Sequence, residues 1–292
     1  MHLTTLRERY NKKDGSLYGK KNIENSIAML YHENSKFTSH TLRLEGEIIG
    51  GFNNPYVISR ASQPYKCYAT SKRIDLSVYA KGEQEANLFK ALRNRRSIRE
   101  YDKAYKLSLN ELTILLYNSY GVTRKSKIAG VNVNGHIGLR NIPSGGGLYP
   151  LELYVVVFNA HIPSGLYHYR PDINSLEVIK EGDFMEELLC IIQAEPYVKM
   201  RTASALIIST GIIERILIKY GDRGYRFLMQ ESGFVGQTIS LLAEAINLAS
   251  CMIGGYNDDK VNNFLGVDGV FETINNIIVI GKKKDNSNSC EL

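Results

Sequence analysis

Apolar residues recur along the chain at two spacings, one helical and one extended. The helical spacing predicts a short helix from Ile23 to Tyr31 and a second helix from Glu83 to Arg96. Residues Ser108–Glu111 have the form of a capping box, and the apolar positions that follow predict a helix that ends at Gly121. The residues from 122 to 141 are polar, contain Gly and Asn, and predict a loop.

Short runs rich in β-branched and aromatic residues predict strands in the second half of the chain. The predicted strands, of which the second and third form a hairpin, are Leu151–Phe158, Gly165–Arg170, Ser175–Lys180, Ser204–Thr210 and Asn275–Gly281. Helices are predicted at Phe184–Ala194 and, as the most apolar segment, from Asp222 to about Ser250. Strands scattered among helices, without a strict β-α-β alternation, predict an α+β fold.

The same pattern divides the chain into three parts. Residues 1–86 are rich in Tyr, Asn and Lys, have weak periodicity, and are interpreted as an N-terminal extension on or beside a core of residues 87–281. Residues 282–292 are polar and predicted to be disordered. With 43% hydrophobic and 23% charged residues, the composition is typical of a soluble globular protein.

Composition and charge exclude several classes of function. No apolar run reaches the roughly 18 residues that span a bilayer, and the N-terminus lacks the apolar segment of a secretory signal, so we expect a cytoplasmic protein that does not enter a membrane. The net charge of +6 is mild and its basic residues are interspersed with acidic ones, which favours an acidic small molecule over nucleic acid. The cysteines and histidines have no metal-binding spacing, and His168 is predicted at the surface or the edge of the core.

A cluster of cations stands where the second helix is predicted to end. It consists of Arg95, Arg96, Ser97 and Arg99. Guanidinium groups offer forked donors that match phosphate oxygens, and a serine hydroxyl adds a short donor. The same cations also complement the negative C-terminal end of a helix, and the segment alone favours this simpler interpretation.

Three consecutive glycines lie in the segment Pro143–Pro150, directly before the first predicted strand. Without a Cβ, their backbone N–H groups can approach a flat or anionic ligand closely. The spacing matches neither a Walker loop nor a dinucleotide-binding fingerprint. A ligand-facing loop and a structural turn are equally compatible with this segment.

The stretch Ile218–Arg226, IKYGDRGYR, gathers cations in front of the long apolar helix. A helix N-terminus carries partial positive charge and usually has acidic residues near it, so cations are unexpected at this position. Asp222 is placed to cap the helix. We infer either a solvated edge or a site that holds something anionic or reactive. After the helix, Gly254 and Gly255 have the expected position of a helix C-cap.

Taken in order, these segments resemble the FMN-dependent nitroreductase-fold superfamily, and within it the SagB-type (McbC-like) dehydrogenases that form thiazoles and oxazoles in peptides. The resemblance covers roughly residues 88–281 and rests on the motifs RRSIREYD, PSGGGLYPLELYVVV, GLYHYRPDINSLEVI, KYGDRGYRFLMQESGFVGQ and IGGYNDDKVNNFLGVDG with the closing IIVIG. It implies a nitroreductase-like fold, with a central mixed sheet flanked by helices, in an interlocked homodimer with FMN at the subunit interface.

The resemblance also implies roles for residues of this chain. The implied FMN ligands are Arg95, Arg96, Ser97 and Arg99 for the phosphate and ribityl chain, Ser144, Gly145 and Gly146 for one side of the isoalloxazine, Gly254 and Gly255 for its other side, and Lys282 as a further phosphate-binding cation. The small residues Ser232, Gly233 and Gly236 would let the long helix approach its counterpart across the dimer.

Lys219 and Tyr220 correspond to the pair that the family associates with catalysis. An azoline ring loses two hydrogens on becoming an azole, and its Cα–H is acidified by the neighbouring carbonyl and ring imine. A base can take that proton while a hydride leaves the adjacent carbon for FMN N5. We expect Lys219 to be unprotonated because burial and the charges of Arg223 and Arg226 lower its pKa. Tyr220 would orient the ring or relay the proton.

The implied function is oxidation of rings in a ribosomally made precursor peptide, beside the cyclodehydratase that makes them. Two alternatives stay open at the level of sequence: a general NAD(P)H-dependent FMN nitroreductase, and a non-catalytic subunit that docks the precursor peptide. Retention of FMN separates both enzymes from the docking subunit, and NADPH-driven turnover of nitroaromatic compounds identifies the general nitroreductase.

Overall fold

The computed structural model describes residues 26–39, 41–52, 54, 57, 65–80, 85–127 and 136–284. The chain forms two compact units, residues 1–47 and residues 48–292. Within its described residues, the first unit contains helix α1 (Ile27–Asn34) and the start of helix α2 (Thr41–Gly51). Helix α1 overlaps the helix predicted from Ile23 to Tyr31, whose first residues, 23–25, lie outside the described part of the chain.

The second unit contains the other elements. Its helices are α3 (Leu88–Asn94), α4 (Leu109–Tyr120), α5 (Met185–Ile191), α6 (Ile213–Tyr220), α7 (Arg223–Ala245) and α8 (Asp258–Leu265). Its strands are β1 (Arg73–Asp75), β2 (Val122–Lys127), β3 (His136–Arg140), β4 (Leu151–Val157), β5 (Gly165–Arg170), β6 (Ser175–Glu181), β7 (Ala205–Ile212), β8 (Ala249–Ile253) and β9 (Glu272–Gly281).

Seven strands form one sheet in the order β1-β6-β5-β4-β7-β9-β8, and β2 pairs with β3 in a separate hairpin. The α+β class is therefore confirmed. We expected a mixed sheet, but neighbouring strands are antiparallel throughout. Among the described residues, parallel pairing is limited to isolated bridges such as that between Ser97 and Ser250.

Strand β4 is buried along its whole length because helices cover both faces of the sheet. Leu153 and Val155 face an apolar layer that includes side chains of α4, α6 and α7. Tyr154 and Val156 face a second layer, which includes side chains of α5 and α8. A strand with two buried faces reads as a continuous apolar run, and this explains the sequence LELYVVV.

The locally encoded elements are confirmed. Ser108 Oγ accepts from the N–H of Glu111 at 3.2 Å, and Glu111 Oε2 accepts from the N–H of Ser108 at 3.0 Å, which completes the predicted capping box of α4. Helix α4 ends at Tyr120, immediately before Gly121. The predicted hairpin is formed by β5 and β6, with Tyr167 opposite Val178.

Other elements differ from their predictions for identifiable reasons. The predicted loop at 122–141 contains the hairpin of β2 and β3, because β2 (VTRKSK) is polar and β3 (HIGLR) is too short for its two apolar residues to indicate a strand. The helix predicted from Glu83 begins only at Leu88, where Asn87 Oδ1 accepts from the N–H of Lys90 at 3.0 Å. The helix predicted to reach Ser250 ends at Ala245, because the following apolar run pairs with β9 as β8.

The structured core extends beyond both of its predicted limits, residues 87 and 281. Strand β1 belongs to the sheet, Leu76 is fully buried, and the N–H of Tyr68 donates to Glu177 at 2.9 Å, so the core begins well before residue 87. At the other end, Lys282 O accepts from the N–H of Asp102 at 2.9 Å and Lys283 pairs with Tyr101. Residues 282–284 are therefore ordered, and residues 285–292 lie outside the described part of the chain.

Candidate active site

The glycine-rich loop before β4 is built on left-handed backbone conformations. Gly145–Gly147 form one 3-10 turn in which Gly146 and Gly147 have φ of +63° and +68°. A side chain is disfavoured at such angles, which explains the glycines. Tyr149 shares this region with φ of +46°, and its N–H donates to Ser144 Oγ at 2.8 Å. The Ser144 hydroxyl thus closes the loop on itself.

Lys219 and Tyr220, the last residues of α6, lie against this loop. A Cβ built on Gly146 would lie 2.8 Å from Lys219 Nζ and 2.7 Å from Tyr220 OH. A Cβ built on Gly147 would meet nothing within 4 Å. The structure therefore brings the predicted catalytic pair to the predicted ligand loop, and only glycine at position 146 leaves room for the contact.

A sharp turn between α6 and α7 positions this pair. Gly221 ends α6 with φ of +51°. Asp222 was predicted to cap α7, but its backbone is helical, with φ of −57° and ψ of −26°, and its side chain makes no capping hydrogen bond. A Cβ on Gly224 would lie 2.8 Å from Ile216 O, so this glycine lets the two helices approach closely. The stretch IKYGDRGYR is thus the junction of two helices.

Burial lowers the pKa of Lys219. Its Nζ lies 5.5 Å from the ring centroid of Phe52 and 5.4 Å from that of Tyr220. Loss of hydration disfavours the ammonium form, which increases the fraction of neutral amine. Burial is the cause found for this shift, and the expected contribution of Arg223 and Arg226 stays a prediction.

Burial also raises the pKa of the Tyr220 phenol, which stays protonated and able to donate near neutral pH. Its ring packs edge-on against Phe227, with centroids 5.0 Å apart. The ring of Phe227 also comes within 3.2 Å of the position that a Cβ on Gly145 would take. Phe227 therefore connects α7 to both the loop and Tyr220.

A buried carboxylate for which no role was predicted also lies near the loop. Glu231, on α7, is 1% exposed, and Tyr120 OH donates to its Oε1 at 2.7 Å. Burial is the main influence on the pKa of Glu231 and raises it to about 7, although Ser144, Tyr120, Arg140 and Arg215 act in the opposite sense. The signal available in the sequence was one acidic residue in the apolar middle of a predicted helix.

His168 lies inside the core, not at its edge as predicted. Its Nε2 lies 3.0 Å from Glu152 Oε2 and its Nδ1 lies 3.1 Å from Glu177 Oε2, with all three side chains buried. Arg215 Nη2 pairs with Glu152 Oε1 at 2.6 Å, and Arg215 Nη1 donates to Tyr149 O at 3.2 Å. This network ties the central strands to the glycine-rich loop.

The predicted phosphate-binding cations lie at the end of α3 without carboxylate partners among the described residues. Arg96 Nη1 donates to the carbonyls of Arg93 and Arg95 at 2.8 and 2.9 Å. Arg99 Nη1 donates to Ser97 O at 3.3 Å, and its guanidinium lies 5.2 Å from the ring centroid of Tyr197. These positive charges are therefore available to an anion.

This cluster is joined to β8. Ser97 forms a parallel bridge with Ser250, and the N–H of Ile98 donates to Ser250 O at 3.0 Å. Strand β8 leads directly to Gly254 and Gly255, which follow a strand and are not the predicted helix C-cap. A Cβ on Gly254 would meet nothing within 4 Å, whereas Gly255 O accepts from the N–H of Gln193 at 2.7 Å.

Lys282 does not join the arginines in the described structure. Its Nζ lies 5.2 Å from the ring centroid of Tyr105. Lys284 Nζ is paired with Glu100 at 2.8 Å. The predicted ligands therefore form two groups, one of Arg95–Arg99 with the end of β8 and one of the loop with α6. No hydrogen bond, ion pair or ring contact between described residues joins these groups.

Two further predictions concern absences. In residues 26–284, as far as they are described, no three His, Cys, Asp or Glu side chains are grouped to hold a metal ion. Nor does any helix of that part have the length and apolar character needed to cross a membrane. Cys67, Cys190 and Cys251 are unpaired thiols.

The chain is similar to proteins of known family. The model of the Nitroreductase family matches residues 92–282. A protein of Methanocaldococcus jannaschii named as a nitroreductase is 31% identical over 185 residues, which are 63% of this chain and 86% of that protein. The microcin B17-processing protein McbC of Escherichia coli is 26% identical over 56% of this chain and 58% of its own length.

The trifolitoxin-processing protein TfxB of Rhizobium leguminosarum is 24% identical over 62% of this chain. The match spans about half of TfxB (48%), so it covers only part of that relative.

Solved structures agree with the fold. A nitroreductase structure from Anabaena variabilis has a TM-score of 0.66 and 27% identity over 87% of this chain and 46% of its own. The Escherichia coli microcin synthetase McbBCD complex, with truncated pro-MccB17 bound, contains a chain with a TM-score of 0.53 and 20% identity over 86% of this chain and 99% of its own. With more than half of its residues matched by the family model, the chain belongs to the nitroreductase family.

Proposed function

We propose that this protein is an FMN-dependent dehydrogenase that oxidises thiazoline or oxazoline rings in a ribosomally synthesised peptide. Membership of the nitroreductase family indicates an oxidoreductase. The observation that carries the finer proposal is the convergence of Lys219 Nζ and Tyr220 OH on Gly146. Similarity to the microcin- and trifolitoxin-processing proteins supports a peptide substrate.

The residues present fit FMN. Arg95, Ser97 and Arg99 would hold its phosphate, since the cations have no carboxylate partner among the described residues and a phosphate suits guanidinium donors. The bare backbone at Gly254, where an added Cβ would meet nothing within 4 Å, leaves room for a flat ring system. When bound, FMN would accept the hydride that leaves the substrate ring.

The chain itself would supply the proton chemistry. Lys219 would take the acidified Cα proton of the azoline onto Nζ, because burial lowers its pKa and favours the neutral amine. Tyr220 stays protonated and would orient the ring through a hydrogen bond to its acyl oxygen or nitrogen. Phe52 and Phe227 flank the pair and would exclude water from it.

A homodimer would complete the site. The two groups of implied FMN ligands are not in contact within one described chain, and we propose that the interface brings them together. Apolar side chains stand exposed on α3, α7 and β8, namely Leu88, Phe89, Leu92, Met229, Phe234 and Met252. Helices α3 and α7 pack together, so their exposed residues can form one surface.

Only one of the three small residues expected at the interface is open to a partner. Ser232 is buried within its own chain, and a Cβ on Gly236 would lie 2.7 Å from Met252 Sδ. A Cβ on Gly233 would meet nothing within 4 Å. Close approach of a second subunit would therefore centre on Gly233.

The proposed partners are the precursor peptide and the cyclodehydratase of the same pathway, in the cytoplasm. The test combines absorbance with mass spectrometry. The purified protein is expected to be a dimer with one FMN per subunit, and to remove 2 Da per ring from an azoline-containing peptide in the presence of oxygen. A monomer without flavin absorbance would contradict the cofactor and dimer proposals together.

The similarity to the Methanocaldococcus jannaschii protein favours a second candidate, a general NAD(P)H-dependent nitroreductase. The same purified protein distinguishes the two. Rapid reduction of nitroaromatic compounds by NADPH, with no mass change in the azoline peptide, would select the second candidate. The proposed dehydrogenase gives the opposite pattern.

A further inference from the structure

One carboxylate is connected to both ends of the glycine-rich loop. At the start of the loop, Ser144 is one of the groups that favour the ionised form of Glu231. At the end, the N–H of Leu151 donates to Tyr120 OH at 3.1 Å, and Tyr120 OH donates to Glu231 Oε1 at 2.7 Å. Glu231 thus links α7 and α4 to the whole segment 144–151.

Between these ends, Tyr149 is held in a conformation that costs a non-glycine residue free energy. Each of its polar groups has a partner. Its N–H donates to Ser144 Oγ at 2.8 Å, its carbonyl accepts from Arg215 Nη1 at 3.2 Å, and its hydroxyl accepts from the N–H of Arg140 at 2.9 Å. Such strain persists only where the surroundings over-determine it, so the shape of the loop depends on its supports.

We propose that Glu231 is a positioning residue of the active site, whose carboxylate holds the glycine-rich loop so that Gly146 meets Lys219 and Tyr220. It acts through Ser144 and Tyr120 and touches neither of the reacting side chains. The proposal rests on the proposed function in one respect: the proposed function makes the glycine-rich loop part of a reaction site. The connection between Glu231 and the end of the loop rests on the two hydrogen bonds of the Tyr120 hydroxyl.

The hydrogen-bond donors around Glu231 explain why its charge matters. The oxygens of Ser144 and Tyr120 each accept a backbone N–H, which leaves each hydroxyl proton free to point at the carboxylate. The Tyr120 hydroxyl donates to Glu231 Oε1, and both hydroxyls favour the ionised form of the carboxyl group. A protonated Glu231 would need an acceptor of its own and would compete with these hydroxyls.

Burial opposes ionisation and raises the pKa of Glu231 to about 7, with Oε2 buried and lacking a hydrogen-bond partner among the described residues. The groups that favour the charged form come from four parts of the chain: Tyr120 from α4, Ser144 from the loop, Arg140 from β3 and Arg215 from α6. The hold on the loop is therefore expected to strengthen as the pH rises through neutrality.

The first test measures hydrogen–deuterium exchange on the full chain as purified, with no substrate added. We expect Glu231→Gln to accelerate exchange within residues 144–151 by at least about tenfold, since the charged acceptor of the Tyr120 hydroxyl is lost. Glu244→Gln, on the same helix but outside the network, is the matched control and is expected to leave this segment unchanged.

The second test follows the melting temperature of wild type and Glu231→Gln from pH 5 to pH 8. The carboxyl pKa is raised in the folded state, so the wild type loses stability from this group as the pH rises towards 7. Glutamine does not titrate, and the melting temperature of the variant relative to wild type should rise over the same interval. A side chain that only fills space would give two parallel curves.

Both readouts are independent of flavin and of ring oxidation, so their failure is distinct from failure of the proposed function. Wild-type exchange in residues 144–151 of Glu231→Gln would overturn the proposal, and so would parallel melting curves. If Glu231→Gln does not fold, Glu231→Asp, whose shorter side chain withdraws the carboxylate from Tyr120, replaces it, and wild-type exchange in that variant would overturn the proposal in the same way.

Discussion

Lys219 Nζ lies 5.5 Å from the ring centroid of Phe52, a 9% exposed residue that directly follows α2. Phe52 comes from the part of the chain that the sequence assigned to an extension, yet it shields the candidate base from water. Desolvation lowers the pKa of Lys219, so part of the reactivity of this lysine is expected to depend on Phe52.

Phe52→Ala is therefore expected to raise the pKa of Lys219 towards its ordinary value, because water reaches the ammonium. A base acts in its neutral form, so the rising limb of the pH–rate profile for azoline oxidation should move to higher pH. Phe52→Leu, which keeps an apolar cover, should leave the limb near its wild-type position. Identical profiles for wild type and Phe52→Ala would show that Phe52 does not control this proton.

Gly146→Ala and Gly147→Ala form a matched pair. Both residues have φ near +65°, where an alanine costs about 1–2 kcal/mol, so both variants should lose stability by that amount. Only Gly146→Ala places a Cβ within 2.8 Å of Lys219 Nζ and Tyr220 OH. Displacement of these two catalytic groups from their positions is expected to lower the rate by about 10²-fold, and we expect that loss in Gly146→Ala alone. Equal activity of the two variants in the mass-spectrometric assay would separate the loop from catalysis.

Lys219→Ala is expected to lower azole formation by roughly 10²–10⁴-fold, the usual contribution of a positioned base, while FMN content and dimerisation stay unchanged. Tyr220→Phe should lose less if the hydroxyl only orients the ring. The assay counts the 2 Da lost per oxidised ring. Lys125→Ala, an exposed lysine on β2, serves as control. Wild-type turnover by flavin-bound Lys219→Ala would exclude this lysine as the base.

Arg99→Ala is expected to weaken FMN binding by about 10- to 10²-fold, because a hydrogen bond to a charged group contributes about 1.5–3 kcal/mol. The free energy of unfolding without flavin should change by no more than about 0.5 kcal/mol, as is usual for an exposed side chain. Titration of the apoprotein with FMN measures the first quantity, and denaturant unfolding measures the second. Arg124→Ala on β2 is the control. Equal FMN affinity in the two variants would show that Arg99 does not bind the phosphate and is only a solvated cation near the end of α3.

Several features could be predicted from the sequence because their causes are local. The Ser108–Glu111 capping box needs only four residues, and it formed as predicted. The β5–β6 hairpin and β4 follow from short apolar runs and a turn between them. The five ordered motifs likewise predicted the nitroreductase fold, since they depend on residue order and not on contacts.

Longer-range features were decided only by packing. The run at Ala249–Ile253 is apolar enough for a helix or a strand, and pairing with β9 made it a strand. Leu76 and Tyr68 were assigned to the N-terminal extension. In the structure their segment packs at the edge of the sheet beside β6, where Leu76 is buried in the core. Local propensity cannot include the free energy of such distant partners.

The candidate site shows the same division. The sequence identified Lys219, Tyr220 and the glycines as separate candidates, but their meeting at Gly146 depends on the junction of α6 and α7. No role was predicted for Phe52 or for Glu231, although Glu231 lies within the motif KYGDRGYRFLMQESGFVGQ, because each acts through burial against residues distant in the chain. A sequence states which groups are available, whereas the loss of hydration that shifts their pKa values exists only once the chain has folded.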